Sequence, residues 1–305
     1  MARTILQRYY DILGEEFDPA TCELKRSLRV NTLKISSEKL VKRLTEKGAK
    51  LEKIPFLKDA YWYTADFSLA SSTEYLLGLF YMQESASQIP PLVLLNDLNI
   101  ETIDENNPPL ILDMAAAPGS KTTQLAALTK DKIPIIAIDN HAPRLQILAN
   151  NLDRLGIKSV LTYRKDGRYV DDLEKEFDYI LLDAPCSGNF CIEKDYFMKR
   201  SISDISGRSK LQKELLRAAY LVLKKEGTLV YSTCSLEPEE DEEVIDWFLE
   251  TYKDMKLEPI EMSVGDEGIT KVKDRELNKE ITKTKRFWPH KTGMQGFYIA
   301  KLKKI

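Results

Sequence analysis

From residue 109 onward, short apolar runs alternate with amphipathic stretches. The runs at 109–115, 133–139, 159–166, 177–185, 227–234 and 296–302 have the length and aliphatic content of strands. Between them lie 120–129, 142–156, 211–225 and 238–252, where apolar residues recur at helical spacing. Strand and helix in repeated alternation predict an α/β fold, a doubly wound and mostly parallel sheet covered on both faces. The texture before residue 81 differs. Residues 27–35 alternate like a strand, and 36–48 read as a helix with Ser36 as cap, Leu40, Val41 and Leu44 on one face, and Gly48 as stop. The aromatic-rich stretch 60–69 reads as strand or loop. A small α+β unit over 1–80 is therefore predicted ahead of a larger unit over 81–305, which opens on a short helix broken at Pro90–Pro91.

Composition narrows the class without naming it. With 43% apolar residues in 305, the chain can bury a large core, which excludes wholesale disorder. The start of the chain carries Arg3, Arg8 and Asp11 and no apolar segment, and no run reaches membrane-spanning length. A cytoplasmic protein with reduced thiols, away from the membrane, is expected. The four cysteines (Cys22, Cys186, Cys191, Cys234) have no framework spacing, and His141 and His290 do not complete a metal set, so no metal is expected.

The unusual residues gather at the ends of the predicted strands, where ligands sit in doubly wound sheets. The first strand runs into Asp113 and then a loop of small residues, Ala115, Ala116, Ala117, Pro118, Gly119 and Ser120, before Lys121 and a helix. Small side chains let a ligand approach the backbone, and a helix start offers free N–H groups. An ordinary strand-to-helix turn reads the same way. The loop is not G-x-G-x-x-G, and no phosphate-binding Lys-Ser/Thr pattern is present. Asp139 closes the next strand 20 residues after Gly119, where an acid can hold a ribose or cap a helix. Asp166 ends the third strand and serves equally as a ligand contact or a turn residue. Two further strands deliver thiols: Asp183 then Cys186 in 181–191, and Cys234 in 231–241. A thiol at a strand end beside exposed N–H groups can act as nucleophile or acid. Cys22 and Cys191 lack such a setting and read as structural.

These segments resemble the RNA cytosine-5 methyltransferases that use S-adenosylmethionine. The likeness covers roughly 26–305 and rests on RVNTLK (29–34), YMQESASQIPPLVL (81–94), DMAAAPGSKT (113–122), DAPCSG (183–188), STCS (232–235) and RFWPHKTGMQGFYIAKL (286–302). The resemblance implies a Rossmann-like methyltransferase sheet and S-adenosylmethionine as cofactor, held by Ala115 to Lys121, Asp139, Asp166, Asp183 and Arg144. Arg144 reads equally as a helix-surface arginine. It further implies catalytic roles for Cys234 as nucleophile, Cys186 in product release, Asp183 at the cytosine N3/N4 edge, and Lys121. In the related DNA enzymes the Pro-Cys thiol attacks instead, but their Arg-rich and Glu-Asn-Val signatures are missing. Ser120 departs from the glycine common at its position. The small N-terminal unit matches an RNA-recognition-like appendage, and Tyr61, Trp62 and Tyr63 can stack on bases or pack its own core.

The compact pattern is closest to the archaeal tRNA enzymes, so tRNA is the expected substrate and rRNA the alternative, with the chain acting as a monomer. The sequence does not identify an accessory protein. A 2′-O-ribose methyltransferase shares the Ala-Ala-Pro-Gly loop but needs no thiol. A decayed scaffold that only binds RNA would not need Cys234, Cys186 and Asp183 intact. The net charge of −3 hides strong segregation. Residues 1–54 hold 12 Lys+Arg against 8 Asp+Glu, 194–225 hold 9 against 3, and 269–305 hold 11 against 3. Residues 235–268 hold 2 against 13. A basic face built from the first three segments is expected, with the acidic helix facing away from it.

Overall fold

The computed structural model describes residues 5–104, 106–193 and 195–305; Arg3 and Lys194, counted among the charges above, lie outside them. Helix α1 (Ile5–Leu13) is followed by β1 (Ser27–Val30), α2 (Ser37–Glu46), β2 (Lys50–Lys53), β3 (Ala60–Thr64), α3 (Thr73–Leu76) and β4 (Phe80–Met82). The four strands form an antiparallel sheet in the order β2-β3-β1-β4. Ser36 caps α2 by accepting the Lys39 N–H, and Leu40 and Leu44 are buried against Leu28, Val30 and Phe80. Tyr61 and Tyr63 pack on that same core, while Trp62 leans on Phe56 with the Lys25 ammonium 4.2 Å above its ring.

Next come α4 (Ile89–Leu94), β5 (Ile111–Asp113), α5 (Ser120–Leu128), β6 (Ile135–Asp139), α6 (Ala142–Leu155) and β7 (Val160–Arg164). They lead into β8 (Phe177–Asp183), α7 (Tyr196–Lys199), α8 (Ile202–Val222), β9 (Leu223–Thr233) and α9 (Glu242–Thr251). Short strands β10 (Met255–Glu258), β11 (Asp266–Glu267), β12 (Lys271–Val272), β13 (Arg275–Glu276) and β14 (Lys285–Phe287) follow, then α10 (Pro289–Thr292) and β15 (Phe297–Lys304). Pro90 and Pro91 fall in the first turn of α4, where no backbone N–H is needed, so they start that helix rather than break one. Helix α8 begins nine residues earlier than its apolar pattern, at a capping box formed by Ser201 and Asp204.

The large sheet has the order β11-β14-β15-β9-β8-β5-β6-β7, with β10 also on β15. Strands β7, β6, β5, β8 and β9 are parallel, and β15 enters antiparallel beside β9. The chain lays β5, β6 and β7 outward, then returns to the other side of β5 for β8 and β9. The direction of winding therefore reverses between β5 and β8, and the crevice at the carboxyl ends opens there. Both faces of the sheet are covered. Leu112, Ile138, Ile180, Leu182 and Tyr231 join one core, and Ile111, Ala137, Leu181 and Val230 the other, as a period of two requires.

The N-terminal sheet is fastened to the large one by buried polar side chains. Arg29 donates to Gln83 Oε1 (2.9 Å), to Thr123 Oγ1 (2.9 Å) and to the Ser120 carbonyl (3.3 Å) in the first turn of α5. Asn31 donates to the carbonyls of Gly78 and Leu155. Helix α1 docks elsewhere: Ile5 and Tyr9 pack with Tyr196, Ile205, Leu236 and Trp288.

The acidic half of the expected charge segregation does not hold in space. Glu237, Glu240, Asp241 and Glu242 are fully buried and Asp246 nearly so, so the acidic run turns inward instead of facing solvent. Arg8, Arg29, Arg286 and Lys301, counted toward the basic face, are interior as well. Arg29 donates to Gln83 and Thr123, and Lys301 pairs with Asp97 and Glu258. Arg8 and Arg286 pair with the acidic run, from far away in sequence. No helix among the described residues is long and apolar enough to cross a membrane.

Candidate active site

Strand register brings the expected residues to one edge. Asp113 lies opposite Ala137 and Leu181, and Asp183 lies opposite Ser232, two residues before Cys234. The loop from Ala115 to Ser120 folds back on the sheet: the Ala116 N–H donates to the Ile138 carbonyl at 3.0 Å, and the Gly119 N–H to the Ala116 carbonyl at 2.8 Å. Gly119 starts α5 at φ +103°, a left-handed conformation that glycine adopts without penalty, and a Cβ there would press on Leu148. Beneath the loop, the buried carboxyl of Asp113 accepts from Thr122 Oγ1 at 2.7 Å through one oxygen, while the other has no protein partner. Burial, opposed by the Thr122 hydrogen bond, pushes the Asp113 carboxyl up to about 6.

Asp139 stands at the end of β6, just ahead of α6. One oxygen accepts the His141 N–H at the start of α6 (2.9 Å), and the other faces the Arg144 guanidinium at 3.4 Å. Arg144 also donates to the Ala117 carbonyl, tying the end of β6 to the small-residue loop. Asp166 caps the turn at 167–173 and is gripped by Arg168, which holds its carboxyl below the usual range.

Lys121 donates to Asp183 Oδ2 at 2.5 Å, and Ser232 Oγ to Asp183 Oδ1 at 2.8 Å. Beyond this pair the two thiols meet, Cys186 Sγ to Cys234 Sγ at 2.7 Å. The hydrogen bond with Cys234, then burial, then the charges of Cys234 and Glu240 push the Cys186 thiol well above its ordinary value, which favours its protonated form. Cys22 and Cys191, placed apart by sequence spacing, also interact, and burial followed by the Cys22 charge pushes the Cys191 thiol up to about 12.

Several residues that hold this edge had no signal in the spacing. Asn189 donates to the carbonyls of Cys234 (2.9 Å) and Gly296 (3.0 Å). Thr233 Oγ1 donates to Asp241 Oδ1 at 2.5 Å, and Arg286 spans Asp241, Glu242 and the Leu236 carbonyl. Arg286 sits in the C-terminal segment that carried the family resemblance, where nothing in the pattern marked it as buried.

Glu237 accepts the Tyr9 hydroxyl at 2.8 Å and lies 3.3 Å from Arg8, yet burial outweighs that cation and pushes its carboxyl up to about 7. Between its ordinary 4.5 and about 7 the folded chain holds a proton that the unfolded chain has lost, so stability falls as pH rises across that window. The loss attributable to Glu237 is about 3 kcal/mol. Urea unfolding at pH 5 and pH 8 checks this: Glu237→Gln should lose less stability between the two than the parent does, by about that amount.

Residues 100–303 match the family described as 16S rRNA methyltransferase RsmB/F, and residues 1–85 match the N-terminal domain of 16S rRNA methyltransferase RsmF. The tRNA (cytosine(49)-C(5))-methyltransferase of Pyrococcus abyssi is 41% identical over 92% of this chain and 88% of its own length. Ribosomal RNA small subunit methyltransferase F of Vibrio atlanticus is 37% identical over 94% of this chain, which spans only 59% of that relative. Among solved structures, a methyltransferase homolog protein from Pyrococcus horikoshii superposes with a TM-score of 0.85 at 39% identity, covering 98% of this chain and 94% of the other. NSun6 from the same organism, solved with SFG, gives 0.83 at 28% identity, covering 99% and 98%.

Proposed function

The chain belongs to the 16S rRNA methyltransferase RsmB/F family, and from that membership we propose that it methylates C5 of a cytosine in tRNA. It is an S-adenosylmethionine-dependent RNA cytosine-C5 methyltransferase. The choice of tRNA is supported by the match to nearly the whole of the Pyrococcus tRNA enzyme. The observation that carries the chemistry is the contact of two thiols from adjacent parallel strands beside the Lys121–Asp183 pair.

The residues at the carboxyl edge fit S-adenosylmethionine. A loop of small residues lies over a buried Asp113 oxygen without a protein partner, and carboxylates stand at the ends of β6 and β7. In this reading Ala115 to Lys121, with Asp113 and Asp183 nearby, hold the methionine end, Asp139 with Arg144 the ribose, and Asp166 the adenine edge. The cofactor supplies an electrophilic methyl group.

Cytosine C5 is a weak nucleophile, and the chain's own residues remedy that. The Cys234 sulfur, its proton given to solvent, adds to C6 as the C5=C6 electron pair moves toward C4; the ring takes a proton from water at N3 and returns it when C5 takes the methyl group. Asp183, held by Lys121 and Ser232, faces that N3/N4 edge. Once C5 is methylated, its proton leaves to water, the C5=C6 bond re-forms and the bond from C6 to sulfur breaks. Cys186 donates its proton to the departing Cys234 sulfur and recovers one from solvent. A base reaches this crevice only when extruded or unpaired. The N-terminal unit, whose sheet runs to Met82 rather than ending at residue 80, is assigned to RNA contact alongside the catalytic unit that follows.

The test is incubation of the purified protein with methyl donor and either tRNA or rRNA that lacks 5-methylcytosine, followed by bisulfite sequencing. A new protected cytosine in tRNA alone is expected. Protection confined to rRNA would overturn the tRNA assignment, and none in either would overturn the activity.

A further inference from the structure

The two thiol loops are held by different parts of the buried acidic run, and this separates their roles. Cys234 is gripped through its neighbours: Asn189 holds its carbonyl, and Thr233 hangs from Asp241, which faces Arg286. The Cys186 loop is gripped on both flanks by another pair. Gln212 Nε2 donates to the Pro185 carbonyl at 3.0 Å and to Glu240 Oε2 at 2.8 Å. The same Glu240 oxygen accepts the Ser187 N–H at 2.9 Å. Glu240 is set in place by its own carbonyl, which accepts the Tyr231 hydroxyl at 2.6 Å, and both Glu240 and Gln212 are fully buried. On the Cys234 side its carboxyl meets the Ser235 hydroxyl, 3.4 Å away.

We propose that Glu240, together with Gln212, is a positioning residue for product release: it fixes the Cys186 S–H against the Cys234 sulfur without taking part in the attack on C6. The proposal rests on the reading above, in which Cys234 attacks and Cys186 assists departure. A displacement of the Cys186 loop by about 1 Å is enough to cost about 100-fold in a step that depends on alignment. Attack and methylation proceed with Cys234 still held by Asp241 and Asn189, so the chain stalls as a covalent complex with methylated RNA.

Glu240→Leu removes both acceptor oxygens, Glu240→Gln keeps one, and Gln212→Met removes the donor at similar volume with Glu240 intact. Each is assayed for multiple turnover, for methyl incorporation in a single turnover, and for a denaturation-resistant RNA adduct on a gel, with Cys186→Ala as control. Glu240→Leu and Gln212→Met should lose about 100-fold in multiple turnover, keep single-turnover incorporation within about threefold, and accumulate adduct, while Glu240→Gln recovers turnover to within about tenfold. A folded Glu240→Leu whose adduct and turnover fall together, or neither changes, overturns the assignment. If Glu240→Leu does not fold, Gln212→Met decides by the same criteria. A control that fails to trap adduct refutes the roles of the two thiols themselves, an outcome distinct from trapping by Cys186→Ala alone.

Discussion

Cys186→Ala is expected to leave the protein covalently joined to its RNA, whereas Cys234→Ala forms neither the adduct nor 5-methylcytosine. The two thiols are in contact, and the surroundings of Cys186 favour its protonated form. Cys234, burial and Glu240 all oppose its ionisation, so it is poorly suited to attack and well suited to donate. Removing Cys234 takes away the bond-forming sulfur, and the loss should be at least about 10⁴-fold, the scale seen when an attacking group is deleted from a covalent mechanism. Removing Cys186 spares bond formation and slows departure. Electrophoresis of the two variants after incubation with RNA and methyl donor, under denaturing conditions, reads the difference directly. A trapped complex with Cys234→Ala and none with Cys186→Ala would exchange the roles.

The second large effect concerns stability. Arg286→Met should destabilise the chain by about 3–5 kcal/mol, because it strands Glu242 as a buried, unpaired carboxylate beside Asp241, whose own carboxyl burial already pushes well above its ordinary range. Arg286 is fully buried, donates to Glu242 Oε1 at 3.0 Å and to the Leu236 carbonyl at 2.7 Å, and lies 3.4 Å from Asp241. The triple change Arg286→Met, Asp241→Asn, Glu242→Gln should regain most of that loss, since neutral side chains carry no comparable burial cost. Urea midpoints of the parent, single and triple variants measure it. A single variant within about 1 kcal/mol of the parent would show that the cluster contributes little.

The parallel half of the sheet was legible because buried strands read as continuous apolar runs between amphipathic helices, and 109–115, 133–139 and 177–185 each contain one. Asp113, Asp139 and Asp183 were legible for the same reason, since an acid stands out at the end of an aliphatic run. Strands β10 and β14 were not. Met-Lys-Leu-Glu and Lys-Arg-Phe are too short and too charged to separate from loop, and only pairing with β15 makes them strands. The acidic run at 237–246 failed for a different reason. A block of carboxylates ordinarily faces water, and its cations sit at Arg8 and Arg286, the first of them 229 residues before Glu237. Local pattern cannot report a partner at that distance. The thiol-positioning residues Asn189, Gln212 and Glu240 are invisible on the same ground, because their hydrogen bonds join loops that only the folded sheet brings together.

The docking of α1 has a consequence for when the site forms. Tyr9 and Arg8 close on Glu237 and Glu239 across a loop of more than two hundred residues, among the longest closures in the chain. Such contacts form late, after local helices and neighbouring strands have condensed. Until then the carboxylates of that turn repel one another without Arg8. Maturation of activity should therefore lag behind the recovery of helical content during refolding, because the turn that carries Glu240 gains its last support from α1.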